Sequence, residues 1–250
     1  MINITEVTHH IAGNTVLSDI NLQVPEGQVV ALIGPNGAGK STLLSLIARL
    51  TAIQQGSIAV DTLDVSKSPS TTLAQHLSIL PQTSEINLRI TVSELVSFGR
   101  YPYHKGRPTS KDDDFIENAI MAFELQPLAH RTLTTLSGGE RQRALLAMTY
   151  AQNTHYILLD EPLNNLDIAA SRSLMKTLRS LTREHGRTVV IVLHDINYAC
   201  AYADHIVTMK NGQLGPCGSP ADIISTALLE DIFGTDAKVL SGPDYPLVLV

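Results

Sequence analysis

The segment from residue 34 to residue 42 constrains this chain more than any other, because it follows the spacing Gly-x-x-x-x-Gly-Lys-Ser. A continuous apolar run of strand length, residues 29–33, comes before it, and an apolar stretch typical of a helix, residues 42–48, comes after it. The segment reads Gly34-Pro35-Asn36-Gly37-Ala38-Gly39-Lys40-Ser41-Thr42. A strand, a glycine-rich loop and a helix in this order wrap backbone around the phosphates of a nucleotide, so the sequence predicts a nucleotide-binding protein.

The residue types of this loop explain how it would bind phosphate. Its glycines allow positive φ and close approach, so that successive N–H groups converge on phosphate oxygens at the positive end of a helix that begins near Lys40. Lys40 would reach the β- and γ-phosphates, Ser41 would place its hydroxyl on Mg²⁺, and Thr42 would bond a phosphate nearer the ribose. The alternative is a glycine-rich turn that precedes a helix by chance, which the flanking strand and helix disfavour.

Composition fits a soluble intracellular enzyme but excludes little else. The chain has 250 residues, 44% of them hydrophobic, and a net charge of −6 without a basic cluster, which argues against general nucleic-acid binding. With only Cys200 and Cys217 present, a disulfide framework is not expected. Residues 1–7 alternate like a strand rather than a signal peptide, and no apolar run is long enough to span a bilayer. Any membrane association is therefore expected to go through a partner.

The order of the predicted elements indicates an α/β fold of one domain with two additions. Strands and helices alternate after residue 153, which favours a mostly parallel sheet, whereas the N-terminal part is typical of an antiparallel sheet. The predicted strands cover residues 2–8, 17–24, 29–33, 56–60, 77–80, 155–159, 188–193 and 205–209, helices cover 168–185 and 197–202, and residues 64–72 form an aperiodic connection.

A helical subdomain is predicted within this core, over about residues 84–152. Thr91 and Glu94 have the spacing of a capping box, and residues 112–125 carry apolar side chains at helical intervals. Residues 100–108 between them are interpreted as a proline-punctuated loop. The single domain 1–250 then consists of a core with its antiparallel part, residues 1–83 and 153–250, and the inserted helical subdomain.

A second phosphate-site element follows the apolar run at residues 156–159. Asp160 and Glu161 emerge at the C-terminal end of a buried strand, where ligands bind in open α/β sheets. Asp160 is placed to hold Mg²⁺, and Glu161 to take a proton from an attacking water. Paired acids at a strand end could instead cap a helix, but their combination with the phosphate loop favours the catalytic interpretation.

The most discriminating element is the run Leu136-Ser137-Gly138-Gly139-Glu140, which puts a hydroxyl and two bare backbone N–H groups at the start of a helix predicted over residues 141–150. A simple kinase needs no second phosphate cradle here, although a capped helix alone would look similar. With this motif the chain resembles the ATP-binding subunit of an ABC transporter over essentially its whole length. The resemblance implies a P-loop NTPase core with a mostly parallel sheet, an N-terminal antiparallel β subdomain and an inserted helical subdomain.

Further roles are implied by that resemblance alone. Gln82 matches the glutamine that touches Mg²⁺ or the water and reports to the membrane partner, and Asp167 matches the aspartate of the loop after the catalytic glutamate. His194 matches the histidine that contacts the γ-phosphate. Glu140 departs from the family, in which Gln is more familiar.

The family also implies partners and a location. Two copies would dock head to tail, with each ATP between one phosphate loop and the other chain's residues 137–139; binding closes this homodimer and hydrolysis reopens it. Two integral-membrane permease subunits and, indirectly, a periplasmic or lipoprotein substrate-binding protein would complete an importer, with this chain at the cytoplasmic face of the inner membrane.

One departure concerns the adenine. Family members usually stack an aromatic residue on the base, but this chain has no Phe, Tyr or Trp before Phe98. We hypothesise that the imidazole of His10 stacks on adenine, with packing of Ile11 on the base as the alternative.

Two short runs point to a class of cargo. Residues 99–103 are similar to the Gly-Arg-x-Pro-His run of iron-siderophore and cobalamin importers, and residues 162–167, Pro-Leu-Asn-Asn-Leu-Asp, resemble ferric-siderophore ATPases. We therefore expect an ATPase that energises uptake of a ferric siderophore, with haem, cobalamin and metal importers as related alternatives. A soluble ABC ATPase of nucleic-acid repair or translation would show tandem cassettes, a coiled-coil insertion or a basic face. A P-loop kinase or GTPase would lack the second cradle.

Overall fold

A mostly parallel sheet lies at the centre of the fold, as predicted, and it has six strands. The computed structural model describes residues 1–82 and 89–249. The strands of these residues are β1 (Ile2–Ile11), β2 (Asn14–Val24), β3 (Val29–Ile33), β4 (Gln55–Val60), β5 (Leu63–Asp64), β6 (Leu77–Leu80), β7 (Tyr156–Asp160), β8 (Thr188–Val192), β9 (His205–Lys210), β10 (Gln213–Gly218), β11 (Lys238–Ser241) and β12 (Pro246–Leu249). The helices are α1 (Lys40–Ile47), α2 (Ser70–His76), α3 (Val92–Phe98), α4 (Tyr101–His104), α5 (Ser110–Ala122), α6 (Gly138–Ala151), α7 (Ile168–His185), α8 (Ile196–Tyr202), α9 (Pro220–Ile223) and α10 (Thr226–Phe233).

Strand order in the central sheet is β10-β9-β3-β8-β7-β6, and only β10 runs antiparallel to its neighbour. Every residue of β3, β7 and β8 is buried, as expected for central strands covered on both faces. Leu32 of β3 and Asp160 of β7 both pair with Val192 of β8. The loop after β3 and the acids after β7 therefore leave the sheet at the same edge.

The N-terminal strands form the predicted antiparallel sheet, in the order β2-β1-β4-β5. This sheet packs directly on the loop that precedes α1, because a Cβ at Gly39 would lie 2.6 Å from Leu17 Cδ2 and 2.9 Å from Val16 O. Apolar side chains of β1, β2 and β4 share one buried cluster with α1. The antiparallel sheet thus supports the back of the loop.

The helices α3, α5 and α6 pack together as the predicted helical part and share a core with the central sheet. Thr91 caps α3 in a capping box with Glu94, as the spacing predicted. Arg100 and Asp112 form a buried ion pair, 3.0 Å from Nε to Oδ1, with 5% of each side chain exposed. The predicted boundary between core and helical subdomain, at residues 83 and 84, lies outside the described residues.

Three predicted segments were wrong in part. Residues 64–72 are not all irregular, because α2 begins at Ser70. The predicted loop 100–108 contains the short helix α4, stabilised by the Arg100 guanidinium 4.0 Å from the centroid of the Tyr103 ring and by the Tyr103 hydroxyl, which donates to Gln75 O at 3.4 Å. The helix predicted from residue 141 begins at Gly138.

Beyond residue 210 the prediction named no elements, and the structure adds β10, α9, α10 and the hairpin β11–β12. Asn197 of α8 holds this hairpin: its Nδ2 donates to Val248 O at 3.0 Å, and Val248 N donates to its Oδ1 at 2.8 Å. Within residues 1–82 and 89–249, no helix combines the length and the apolar character needed to cross a membrane.

Candidate nucleotide-binding site

The phosphate loop leaves β3 at a position that only glycine fits. A Cβ at Gly34 would lie 2.0 Å from Met209 O of the neighbouring strand. The φ angles of Gly34, Gly37 and Gly39 are 152°, 78° and 99°, the left-handed region that side chains disfavour. Ala38 N donates to the carbonyl of Pro35 at 3.2 Å, so the loop closes on itself. Asn36 and Gly37 stay exposed at its tip, open to a ligand.

Lys40 is the first residue of α1 and lies folded against its own loop. Only 5% of the residue is exposed, and its Nζ donates to the carbonyls of Gly34 and Pro35 at 2.7 and 2.9 Å. Burial lowers the pKa of Lys40 below its ordinary value, while Glu161 and Asp160 act in the opposite direction. These carbonyls hold the ammonium group beside the space that the loop encloses.

Ser41 and Asp160 meet across the sheet edge. The Ser41 hydroxyl donates to Asp160 Oδ1 at 2.9 Å, and Thr42 follows half-buried on α1. Burial raises the pKa of Asp160, with a further increase from Glu161 that the Ser41 hydrogen bond and Lys40 oppose. A hydroxyl and a buried carboxylate in contact are hard oxygen ligands of the kind that Mg²⁺ prefers, so these residues fit the ion.

Glu161 is held by three side chains from three parts of the chain. Gln82 Nε2 donates to its Oε2 at 2.7 Å, Asn164 Nδ2 donates to the same oxygen at 2.9 Å, and His194 Nε2 lies 2.6 Å from Oε1. Burial alone would raise the pKa of Glu161, but the hydrogen bonds from Asn164, His194 and Gln82 outweigh it and lower the pKa. The carboxylate is therefore stabilised as an anion, with 10% of the side chain exposed.

The second predicted cradle lies at the start of α6. Ser137 caps this helix in a capping box: its Oγ accepts from Glu140 N at 3.3 Å and donates to Glu140 Oε2 at 2.8 Å. The backbone N–H of Ser137 and its hydroxyl lower the pKa of Glu140. Gly139 packs against Asn165, since a Cβ there would lie 3.1 Å from Asn165 O. The second cradle therefore packs against the loop that follows Glu161.

A cleft of about 610 Å³ opens beside this cradle and is lined in part by Ser137, Gly139 and Asp167. Asp167 also caps α7, with Oδ1 accepting from Ala170 N at 2.7 Å. Residues 34–42 do not line this cleft among the described parts of the chain. One chain thus brings the phosphate loop, Gln82, Asp160, Glu161 and His194 together, and presents Ser137, Gly138, Gly139 and Asp167 on a separate surface.

His10 lies near the end of β1, exposed, with its Nδ1 3.1 Å from the hydroxyl of Thr15. The neighbouring Ile11 is 51% exposed. Both side chains are accessible to a base, and the stacking of His10 on adenine stays a prediction.

Two contacts at the site were missed by sequence reasoning. Asn164 touches the Glu161 carboxylate, and Gln142 Nε2 of α6 donates to Pro162 O at 3.1 Å, which ties the second cradle's helix to the loop after Glu161. The sequence signal for Asn164 was present in residues 162–167, but it served only to suggest a class of cargo.

A glycine-rich loop and paired acids at one edge of a parallel sheet define the class of P-loop nucleoside triphosphatases. Within that class, the second cradle at residues 137–139 is typical of ABC ATPases, and the comparison with known families gives the same result. The ABC transporter family model matches residues 17–164, and the chain belongs to this family. It is an ATPase subunit of the ABC type, which confirms the resemblance seen in the sequence.

Relatives of known name match nearly the whole chain. A petrobactin import ATP-binding protein of Bacillus anthracis is 44% identical, with 100% of both chains covered. A petrobactin import ATP-binding protein of Bacillus subtilis (strain 168) is 45% identical over 93% of this chain and 92% of its own. The ferric enterobactin transport ATP-binding protein of Escherichia coli (strain K12) is 38% identical over 94% and 88%.

Solved structures share the fold. An ATP-binding cassette in a dimeric post-hydrolysis state bound to ADP and Pi superposes with a TM-score of 0.79 at 27% identity, over 88% of this chain and 98% of that one. An inward-facing transporter of the metal-chelate type superposes with a TM-score of 0.83 at 25% identity, over 100% and 97%. The predicted fold class is confirmed.

Proposed function

We propose that this chain hydrolyses ATP to energise the import of a ferric siderophore. The observation that carries the proposal is the Glu161 carboxylate, held as an anion at the sheet edge beside the Ser41–Asp160 pair and the buried ammonium of Lys40. Such a group is suited to take a proton from water that attacks a phosphate. The names of the relatives supply the class of cargo.

The chain's own residues divide the work at the site. The backbone N–H groups of residues 34–42 and the start of α1 bind the phosphates, and Lys40 adds a positive charge. Ser41, Asp160 and Gln82 would hold Mg²⁺, which when bound neutralises charge on the phosphates. Glu161 accepts the proton of the attacking water.

His194 would leave Glu161 to contact the γ-phosphate. It starts 2.6 Å from the Glu161 carboxylate, at the same sheet edge as the phosphate loop. Gln82 donates a hydrogen bond to the same carboxylate. When nucleotide binds, Gln82 or His194 would therefore exchange its contact with Glu161 for a contact at the nucleotide.

The site is completed by a second copy of the chain. The surface with Ser137, Gly138, Gly139 and Asp167 lies apart from residues 34–42, and the start of a helix such as α6 favours anions. We propose that it closes over the ATP of a partner in a homodimer and opens after hydrolysis.

The importer would also contain two integral-membrane permease subunits, with a substrate-binding protein that delivers the cargo. We propose that the chain works in this importer at the cytoplasmic face of the inner membrane. Relatives named for petrobactin and for ferric enterobactin favour a ferric siderophore over haem, cobalamin or another metal complex. The net charge of −6 gives no reason to expect a nucleic-acid partner.

The chemistry is tested by Glu161→Gln. The amide cannot accept the proton, so we expect turnover to fall at least about a hundredfold while ATP still binds. Steady-state phosphate release and the dissociation constant of ATP are the measurements. Near-normal turnover would remove Glu161 from the role of base.

The cargo is tested in the reconstituted complex. Binding proteins loaded with ferric catecholate, ferric hydroxamate, haem or cobalamin are added separately, and ATPase stimulation is measured. We expect the strongest stimulation with a ferric siderophore, and stimulation only by haem or cobalamin would contradict this cargo.

A further inference from the structure

We propose that Asn164 is a positioning residue that holds the carboxylate of Glu161 in place through a side-chain hydrogen bond. Its Nδ2 donates to Glu161 Oε2 at 2.9 Å, and its backbone N donates to Glu161 O at 3.2 Å. Both bonds lie within one turn of the chain. The inference rests on the proposed role of Glu161 as the base.

The other two partners of the carboxylate come from distant segments. Gln82 follows β6 and His194 follows β8, so their bonds to Glu161 depend on how those segments sit. In the proposed mechanism, Gln82 would bind Mg²⁺ and His194 would contact the γ-phosphate, so both would give up their contacts with the Glu161 carboxylate. Asn164 has no such task and moves with Glu161, so its bond can persist when the others change.

The turn itself is built to fix this geometry. Glu161 has a φ of 51°, in the left-handed region, which is unfavourable for a residue with a side chain. Pro162 has a restricted φ and its carbonyl accepts from Gln142 of α6. A strained residue held by its surroundings is typical of functional sites.

The residue type matters for reach. A serine at position 164 would carry its hydroxyl directly on Cβ. The amide nitrogen of Asn164 is one bond further from the backbone, and it reaches Glu161 Oε2 with a charge-assisted bond. Asn164 is exposed, whereas only 10% of the Glu161 side chain is, so the amide can be replaced without opening the core.

The test uses the full-length chain with Asn164→Ala, which removes the donor, and Asn164→Asp, which keeps the shape but opposes the carboxylate. The matched control is Asn118→Asp on the exposed face of α5. Hydrogen bonds to charged groups account for about tenfold or more in a rate, so we expect kcat for ATP to fall about tenfold in Asn164→Ala and further in Asn164→Asp. In Asn164→Ala, the dissociation constant of ATP and the midpoint of urea unfolding should stay as in the wild type and in Asn118→Asp.

Adding Asn164→Ala to the Glu161→Gln variant distinguishes a positioning role of Asn164 from a merely structural one. Single-turnover hydrolysis of Glu161→Gln should be unchanged, within about twofold, when Asn164→Ala is added, because the group that Asn164 positions is already gone. Wild-type kcat in Asn164→Ala, or a tenfold loss that persists in the Glu161→Gln background, would overturn the inference. Near-normal turnover of Glu161→Gln itself would instead overturn the role of Glu161, whatever Asn164 does.

Discussion

Two neighbouring carboxylates at the end of β7 have opposite environments. Asp160 is buried against the Ser41 hydroxyl and has a raised pKa, whereas Glu161 accepts hydrogen bonds from three donors and has a lowered one. Adjacent titratable groups whose surroundings separate their pKa values often divide the roles in a catalytic site. The hydrogen bonds keep Glu161 ionised, as a proton acceptor must be, and a bound cation would favour the ionised form of Asp160, in line with the roles that we propose.

A prediction at this scale concerns the adenine. If the imidazole of His10 stacks on the base, His10→Ala should weaken ATP binding about fivefold to 150-fold, the range of 1–3 kcal/mol for stacking of a base on a ring. Ile11→Ala is the matched comparison, because Ile11 is the neighbouring exposed side chain. Titration with ATP gives both dissociation constants, and unchanged affinity in His10→Ala with a loss in Ile11→Ala would favour Ile11.

At the scale of elements, a buried ion pair between Arg100 and Asp112 helps to hold the helical part together. Arg100 donates to Asp112 of α5 and, through Nη1, to Ala151 O at the end of α6, and its guanidinium lies 4.1 Å from the ring centroid of Phe115. A cation at a helix C-terminus also interacts favourably with the helix dipole. Arg100, which the sequence analysis placed in a loop, therefore joins α4, α5 and α6.

We predict that Asp112→Asn lowers the free energy of unfolding by about 2 kcal/mol at pH 7, because Arg100 loses its charged partner. Burial would raise the pKa of Asp112, but hydrogen bonds from Thr109 and Arg100 lower it from its ordinary value of 3.8. The carboxylate therefore stabilises the fold above about pH 3.8 and loses this effect as the pH falls through its lower folded value. Urea unfolding of wild type and variant should differ equally at pH 7 and pH 5 and converge below pH 3.8.

The control for this prediction is Asp113→Asn, since Asp113 is exposed on the same helix. Its unfolding free energy should follow the wild type within about 0.5 kcal/mol, as for most surface substitutions. A constant difference between Asp112→Asn and wild type down to pH 3 would contradict the pairing.

Elements with a strong local signal were predictable. β3 and α7 have the predicted bounds, because β3 is a fully apolar run and α7 ends at Gly186, which has a φ of 61°. The helix α4 was not predictable, because its four residues depend on Arg100 stacking and on Gln75 of another helix. Its stability comes from tertiary contacts that no local pattern contains.

At the scale of the whole molecule, the sheet order decides which motifs meet. The sequence predicted the phosphate loop, Asp160 and Glu161 at strand ends, but the family resemblance alone supplied Gln82 and His194. The order β3-β8-β7-β6 places the ends of these four strands side by side, and it depends on long-range pairing that one sequence does not display. The reach of Asn164 depends in turn on the φ of Glu161, which is invisible in the sequence.

If each ATP site is shared between two chains, two inactive variants should restore activity when they are mixed. Lys40→Ala disables the phosphate loop, and Gly138→Asp places a negative charge at the second cradle, where it would repel the γ-phosphate. A Cβ at Gly138 would meet its nearest neighbour at 3.5 Å, and an acid in the first turn suits the helix dipole, so this variant should fold. Each variant alone should be nearly inactive.

In a two-fold dimer each site takes its loop from one chain and its cradle from the other, so a mixed dimer of the two variants has one site with both defects and one intact site. With random exchange and independent sites, an equal mixture should recover about a quarter of the wild-type rate of phosphate release. A mixture of Lys40→Ala with the double variant Lys40→Ala/Gly138→Asp has no intact site and should stay inactive, which controls for wild-type contamination. If the first mixture also stays inactive although the chains exchange, the second cradle does not act on the partner's ATP, and the division of the site between two chains is wrong.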